Sequence, residues 1–225
     1  MIKIKLQDIK RPYDAVIGIG SACDPTIHIK RLNLRKHSLP LDWVVSLSLS
    51  DVNKLLINRF NGFMELENLQ LKEESHFYLD DGTPVFSDDR FTMVKSYFVE
   101  DTYYNIISVH DFPIIPNQEW SQTYPAFKEK LNKRIHRFLN IMNTSQSTLF
   151  VRWSATYTEA VELQTILHQL TNGLFHIVII NPIEDLPHIV ETDWGLDRVC
   201  SIQVPNFIHD YAIWDYVLNG VSINP

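Results

Sequence analysis

Two cysteines in 225 residues are too few for a disulfide scaffold, and they suit a reducing compartment. No apolar run approaches the ~18 residues of a membrane span. The start, Met1-Ile-Lys-Ile-Lys, lacks a signal-peptide shape, because Gln7, Asp8, Lys10 and Arg11 interrupt any apolar region. Positive charge is also short. Lys and Arg number 20 against 27 Asp and Glu, and the net charge of −7 argues against a generic nucleic-acid surface. There is no Gly-Lys-Ser/Thr, hence no P-loop, and no third glycine at the spacing of a dinucleotide fingerprint. The nine histidines are scattered without ligand spacing, and Cys200 stands far from any His-x-x-His pattern. These absences leave a cytoplasmic protein with no metal or cofactor and no nucleic-acid or membrane partner. The expected binding partner is a small molecule or a peptide.

What is present supports a globular α/β domain covering residues 1–225. Hydrophobic residues make up 45% of the chain, ample for a core. Ala15 to Ile19 reads as a short buried strand. Gly18, Gly20 and Ser21 are turn residues. Asp24 has the place of a helix N-cap with Pro25 at the first helical position. Cys23 therefore sits where a tight turn meets a helix. Backbone N–H groups and the helix dipole there favour an anion, and a thiolate is one.

Along the rest of the chain, residues 1–12 read as an edge strand. Ser50-Asp51 caps a helix carrying Val52, Leu55, Leu56 and Phe60. Residues 75–98 read as a hairpin around Asp80-Asp81-Gly82-Thr83-Pro84. Tyr104 to Val109 is a strand that delivers His110-Asp111-Phe112. Residues 124–142 form a helix, with Phe127, Leu131, Ile135 and Phe138 on one side and Lys128, Lys130, Lys133, Arg134 and Arg137 on a solvated side. Strand 148–153, helix 158–171 and strand 176–180 imply a parallel pair with a crossover. A strand at 199–204 and a helix at 211–218 complete a mostly parallel sheet flanked by helices, with a hairpin-rich insertion. The alternative architecture is papain-like α+β. Active sites of parallel sheets lie at the carboxyl ends of strands, where this reading puts Cys23, His110, Arg152 and Asn181.

Taken in order, Gly-Ile-Gly-Ser-Ala-Cys (18–23), Leu-Arg-Lys-His-Ser-Leu-Pro-Leu-Asp-Trp (34–43), Asn58-Arg-Phe60, His110-Asp-Phe112, Arg134 to Phe138 and Leu149-Phe-Val-Arg152 resemble a bacterial family of unknown function described as papain-like cysteine peptidases. The family pattern resembles Gly-Ser-Asn-Cys, then Pro-Phe-Asp-Trp, then His-Asp-Phe. Here Ala22 replaces the Asn and Leu41 replaces the aromatic residue.

The resemblance implies a thiol hydrolase with Cys and His roles. Read from the residues, Cys23 is the nucleophile and His110 the base. Asp42 orients His110, because Asp111 as its strand neighbour points to the opposite face. N–H groups at Gly20, Ser21 and Ala22 form the oxyanion hole, and Trp43, Asp111 and Arg152 support the site. Two other readings stay open. One is a GDSL-type serine esterase using Ser21 with Asp185 and His188. The other is a non-catalytic anion-binding module, in which the Gly-x-Gly-Ser turn holds a phosphate or sulfate that Arg152 could pair.

Overall fold

The computed structural model describes residues 4–225. In chain order the elements are β1 (Pro12–Tyr13), β2 (Ala15–Gly18), α1 (Asp24–Arg31), β3 (Val44–Val45), α2 (Leu49–Ile57), β4 (Leu69–Phe77), β5 (Leu79–Asp80), β6 (Thr83–Pro84), β7 (Lys95–Asp101), β8 (Ile106–Pro113), α3 (Tyr124–Thr144), β9 (Ser147–Trp153), α4 (Tyr157–Leu170), β10 (Leu174–Ile183), β11 (Val190–Thr192), β12 (Val199–Pro205), α5 (Tyr211–Leu218) and β13 (Ser222–Ile223).

The main sheet has the order β11-β12-β10-β9-β2. All its pairs are parallel except β11 with β12. Its central strands are apolar on both faces, as strands covered on both sides require. On one face Val16, Val151, Val178 and Ile202 pack against Ile29 of α1 and Ile213, Trp214 and Val217 of α5. On the other face Ile17, Phe150, Ile177 and Ile179 join Val52 and Leu55 of α2, Phe138 of α3 and Leu163 and Leu167 of α4. Each large apolar side chain buried in these layers contributes roughly 1.5–3 kcal/mol. The mostly parallel α/β architecture expected from the strand–helix alternation is therefore present.

Beside it stands a second sheet that the sequence does not announce. Its order is β3-β8-β7-β4, and every pair is antiparallel. β8 belongs here, so His110 lies within an antiparallel strand and not at the carboxyl end of a parallel one. Asn181 likewise lies inside β10. Between β4 and β7 the chain makes a second, nested hairpin, β5-β6.

Local details shift as well. Leu6–Ile9 is a 3-10 turn with Leu6 and Ile9 buried, in place of the expected edge strand. Residues 1–3 of that expectation lie outside the described residues. The N-cap of α1 is Cys23, with Asp24 and Pro25 in its first turn. The cap of α2 is Ser48, whose hydroxyl accepts from Ser50 N–H.

Two histidines are buried in these layers and held neutral. His28 stacks on Trp214 at 4.9 Å and accepts a hydrogen bond from Arg31 Nε. His176 Nδ1 lies 2.8 Å from the Tyr13 hydroxyl. Burial pushes each imidazole down to about 4, against about 6.5 in an unfolded chain. As pH falls below about 6.5 the unfolded chain takes up these protons and the folded chain does not, so stability drops until about pH 4. Urea midpoints are expected to fall across that window, with up to two extra protons bound on unfolding from this pair. The slope should be shallower in His28→Phe, and an unchanged slope would remove His28 from the account.

Candidate active site

The turn after β2 is built from two consecutive left-handed residues, Gly20 (φ 73°) and Ser21 (φ 78°). Gly20 has no alternative there. A Cβ at this position would lie 2.6 Å from Ser46 Oγ, in addition to the strain of the positive φ. Ser21 is stitched to the end of β3. Its N–H donates to Ser46 Oγ (3.0 Å), and its carbonyl accepts from Ser46 N–H (3.2 Å). The Ser21 hydroxyl donates to the Trp153 carbonyl. Ser21 is thus committed three times, and its N–H is not free for an oxyanion. Gly20, Ala22 and Cys23 keep N–H groups without partners among the described residues.

Arg152 holds this turn from behind. It was expected at a strand end facing an anion or the surface. It is instead fully buried on the same face of β9 as Phe150. Its Nη1 donates to Ile19 O (2.9 Å) and Ser46 Oγ (2.7 Å), its Nη2 to Ser46 O (2.9 Å) and its Nε to Ser154 O (3.1 Å). Burial brings its guanidinium down to about 10. Arg152 is spent on protein acceptors, which leaves no donor assigned to a phosphate or sulfate.

Cys23 packs in a small apolar cluster with Trp43 and Val109, flanked by Val45, Leu79 and Phe98. Trp43 arrives through β3, where its carbonyl accepts from Val109 N–H (3.1 Å). His110 follows Val109, and its ring meets Trp43 edge-on with centroids 5.7 Å apart. Cys23 and His110 therefore flank one indole, though no hydrogen bond joins them among the described residues.

The imidazole of His110 is fixed by the Phe77 carbonyl at Nδ1. A carbonyl only accepts, so Nδ1 carries the proton and Nε2 holds the lone pair. Burial is the main cause that lowers this imidazole below its ordinary value, so it is neutral at neutral pH.

Asp42 does not orient His110. Its buried carboxylate accepts from Arg35 Nε and Nη2 (3.1 and 2.7 Å), Leu39 N–H (2.8 Å) and Thr26 Oγ1 (3.2 Å). It ties α1 to the loop before β3 and holds Trp43 in place. Asp111 accepts from Arg134 Nη1 (2.8 Å) and Ser108 Oγ (3.2 Å).

The hairpin closes over this cluster. A Cβ on Gly82 would lie 2.6 Å from Trp43 Cζ2, so the hairpin backbone rests directly on the indole. Lys30 Nζ donates to Gly82 O (2.7 Å), Ser38 Oγ and Arg134 Nη2 donate to Asp81 (2.9 and 2.8 Å), and Lys130 pairs with Asp80 (2.6 Å). Ser46, Phe77 and Arg134 do not stand out in the sequence as site residues. Arg134 does carry a signal, since it falls on the apolar stripe of α3 between Leu131 and Phe138 and is buried there.

Closure governs the thiol. Burial, followed by the charges of Asp24, Asp111 and Asp42, pushes Cys23 well above an ordinary thiol. The thiolate expected from the helix terminus is not favoured in this closed arrangement. Cys200 lies in β12 almost wholly buried, and its thiol is pushed up to about 12. The Ser21 triad is not assembled either. Asp185 and His188 are exposed on the segment after β10, while the Ser21 hydroxyl faces the Trp153 carbonyl. Among the described residues no group of three or more His, Cys, Asp or Glu could hold a metal, and no helix is long and apolar enough to cross a membrane.

With this geometry in hand, comparison with known proteins gives the class. Residues 14–184 match the family described as "Putative papain-like cysteine peptidase". The match covers well over half of the chain, and the protein belongs to that family. A relative carrying the name "Uncharacterized protein R408", from Acanthamoeba polyphaga mimivirus, is 31% identical over 139 residues, 60% of this chain and 60% of its own length. The chain thus spans less than two thirds of that relative, and the relative is viral, where the motifs had suggested a bacterial family. No solved structure matches.

Iodoacetamide should alkylate Cys23 slowly at pH 7 in the folded protein, at least tenfold below a free thiol of pKa about 8.5. Asp81→Ala cuts the bonds from Ser38 and Arg134 and should raise that rate several-fold. Equal rates in the two proteins, read by peptide mass after quench, would mean that the hairpin does not control access.

Proposed function

We propose that the protein is a thiol-dependent acyl hydrolase, a peptidase or a thioester or ester hydrolase, with Cys23 as nucleophile and His110 as base. The observation that carries this is the His110 tautomer. The Phe77 carbonyl holds the proton on Nδ1, and the lone pair on Nε2 is available on the imidazole that shares Trp43 with Cys23. A cysteine hydrolase needs an oriented base, and a backbone carbonyl supplies the orientation here.

On this reading, Nε2 takes the proton of Cys23 as the sulfur bonds to the substrate carbonyl carbon and the carbonyl π pair moves to oxygen. The pair returns, the bond to the leaving group breaks, and His110 gives its proton to that group. His110 then takes a proton from water as its oxygen bonds to the acyl carbon; the C–S bond breaks, the acid leaves, and His110 returns the proton to the Cys23 sulfur. The protein's donors for the oxygen include the unpartnered N–H groups of Ala22 and Cys23 at the start of α1. The high resting thiol and the closed hairpin support a site that works only when opened, since desolvation is the largest cause of the shift.

Hydrolysis of a simple ester or thioester should vanish in Cys23→Ala and survive in Ser21→Ala. In His110→Ala the acylation rate should fall by roughly 10²–10⁴. Activity that survives Cys23→Ala and depends on Ser21 and His188 would replace this reading with the serine esterase.

A further inference from the structure

Trp43 is 2% exposed, and its indole N–H has no hydrogen-bond partner among the described residues. Indole is a donor only. A buried donor left unpaired is destabilising, so an N–H of this kind in the cluster that holds the nucleophile needs a physical reason. Its neighbours enclose the ring. The Arg35 guanidinium lies 5.6 Å from its centroid and the edge of His110 at 5.7 Å, with Cys23 and Val109 in the same cluster. The Gly82 backbone covers Cζ2, which is bonded to the carbon that carries Nε1. The Gly82 carbonyl accepts from Lys30 instead.

The position of the ring is over-determined. Asp42 anchors the preceding residue through four hydrogen bonds, and the Trp43 carbonyl is held by Val109 N–H. Meanwhile the Ser21 N–H, one of the three donors expected in the turn, is consumed by Ser46. The site therefore holds a rigid, unsatisfied donor and is short of one it was expected to have.

We infer that the indole N–H of Trp43 is the donor that meets the substrate carbonyl oxygen when Cys23 attacks it. This rests on the Cys23 reading above and deepens it. As the S–C bond forms, the carbonyl π pair becomes an oxyanion, and Nε1–H donates to it. A donor without a partner in the resting enzyme loses nothing on that exchange, so its full strength appears in the transition state. The ligand class is fixed accordingly: a carbonyl carbon whose oxygen gains charge, as in a thioester, ester, amide or aldehyde.

The test uses ¹³C-carbonyl acetaldehyde and protein labelled with ¹⁵N in its five tryptophans. The aldehyde adds to the Cys23 thiol: the S–C bond forms, and the thiol proton ends on the former carbonyl oxygen as a hemithioacetal. The Trp43 indole resonance is assigned from Trp43→Phe, or by elimination with variants of Trp120, Trp153, Trp194 and Trp214 if that protein does not fold. The expected result is a downfield shift of the Trp43 indole proton on hemithioacetal formation, absent in Cys23→Ala. Trp43→Phe should weaken the aldehyde adduct about tenfold or more. Cys23 alkylation by iodoacetamide, which makes no oxyanion, reads any change of access in Trp43→Phe, and the loss of adduct should exceed that change by about tenfold. A hemithioacetal with an unmoved Trp43 signal overturns the donor role and leaves the Cys23 reading standing. No hemithioacetal, in either the parent protein or Asp81→Ala, overturns the Cys23 reading and the donor with it.

Discussion

The guanidinium of Arg152 is the contact on which the geometry of the site depends. It is fully buried, and no carboxylate is bonded to it. Its donors go to Ile19 O after β2, to both oxygens of Ser46 after β3 and to Ser154 O after β9. A buried cation without a paired anion is expensive, and here each of its three nitrogens is hydrogen-bonded. Here the acceptors come from both sheets, so the charge can be satisfied in one relative placement of β2, β9 and β3. Ser46 passes that placement to Ser21, which fixes where the turn presents Cys23. β3 passes it to Trp43 and, through Val109, to His110. Replacing Arg152 by an apolar residue would leave buried carbonyls unpaired at about 1–3 kcal/mol each, and the turn would lose its reason to stand against β3.

Charge decides the resting state of the thiol. The α1 terminus favours a thiolate, but such an interaction is worth only about 0.3–1 kcal/mol at ordinary exposure. Against it stand desolvation and the three carboxylates of Asp24, Asp111 and Asp42. Asp111 and Asp42 are paired with Arg134 and Arg35, and Asp24 is hydrogen-bonded to His209. Arg134 also holds Asp81 at the hairpin tip, so the cation that balances an acid near Cys23 is the one that keeps the cover shut. Desolvation, the dominant cause, is the part that moving the hairpin would relieve.

The layers around the main sheet were legible because they rest on local periodicity. The stripe Phe127, Leu131 and Phe138 marks α3, and the runs in β9, α4 and β10 announce a parallel pair. The antiparallel sheet was not legible, because β3 is two residues long and its partner β8 lies some sixty positions on. Pairing at that separation leaves no local trace. The errors at Arg134 and Arg152 share a cause. Each is a charged residue whose partner is distant or on another element, and sequence reading assigns charge to solvent by default. The break in pattern was visible even so: Arg152 interrupts an apolar run and Arg134 an apolar stripe, and both are buried.

No acid is hydrogen-bonded to His110 among the described residues, and the fold makes the reason plain. Asp111 points away toward Arg134, and Asp42 belongs to Arg35 and α1. The Nδ1 proton is held by the carbonyl of Phe77. A carboxylate there would raise the imidazole toward its cation, whereas a carbonyl fixes the tautomer while placing no full charge in a buried place already crowded with acids. It also leaves the base dependent on β4, the strand that leads into the hairpin. Covering the thiol and orienting the imidazole are then tasks of one segment, and a movement that uncovers Cys23 need not disturb His110 so long as it hinges beyond Phe77. Just past Phe77 the Tyr78 N–H still donates to Val94 O (2.8 Å), and beyond it the chain passes from the long β4-β7 pairing to the short β5-β6 hairpin, so such a hinge falls between Tyr78 and Leu79.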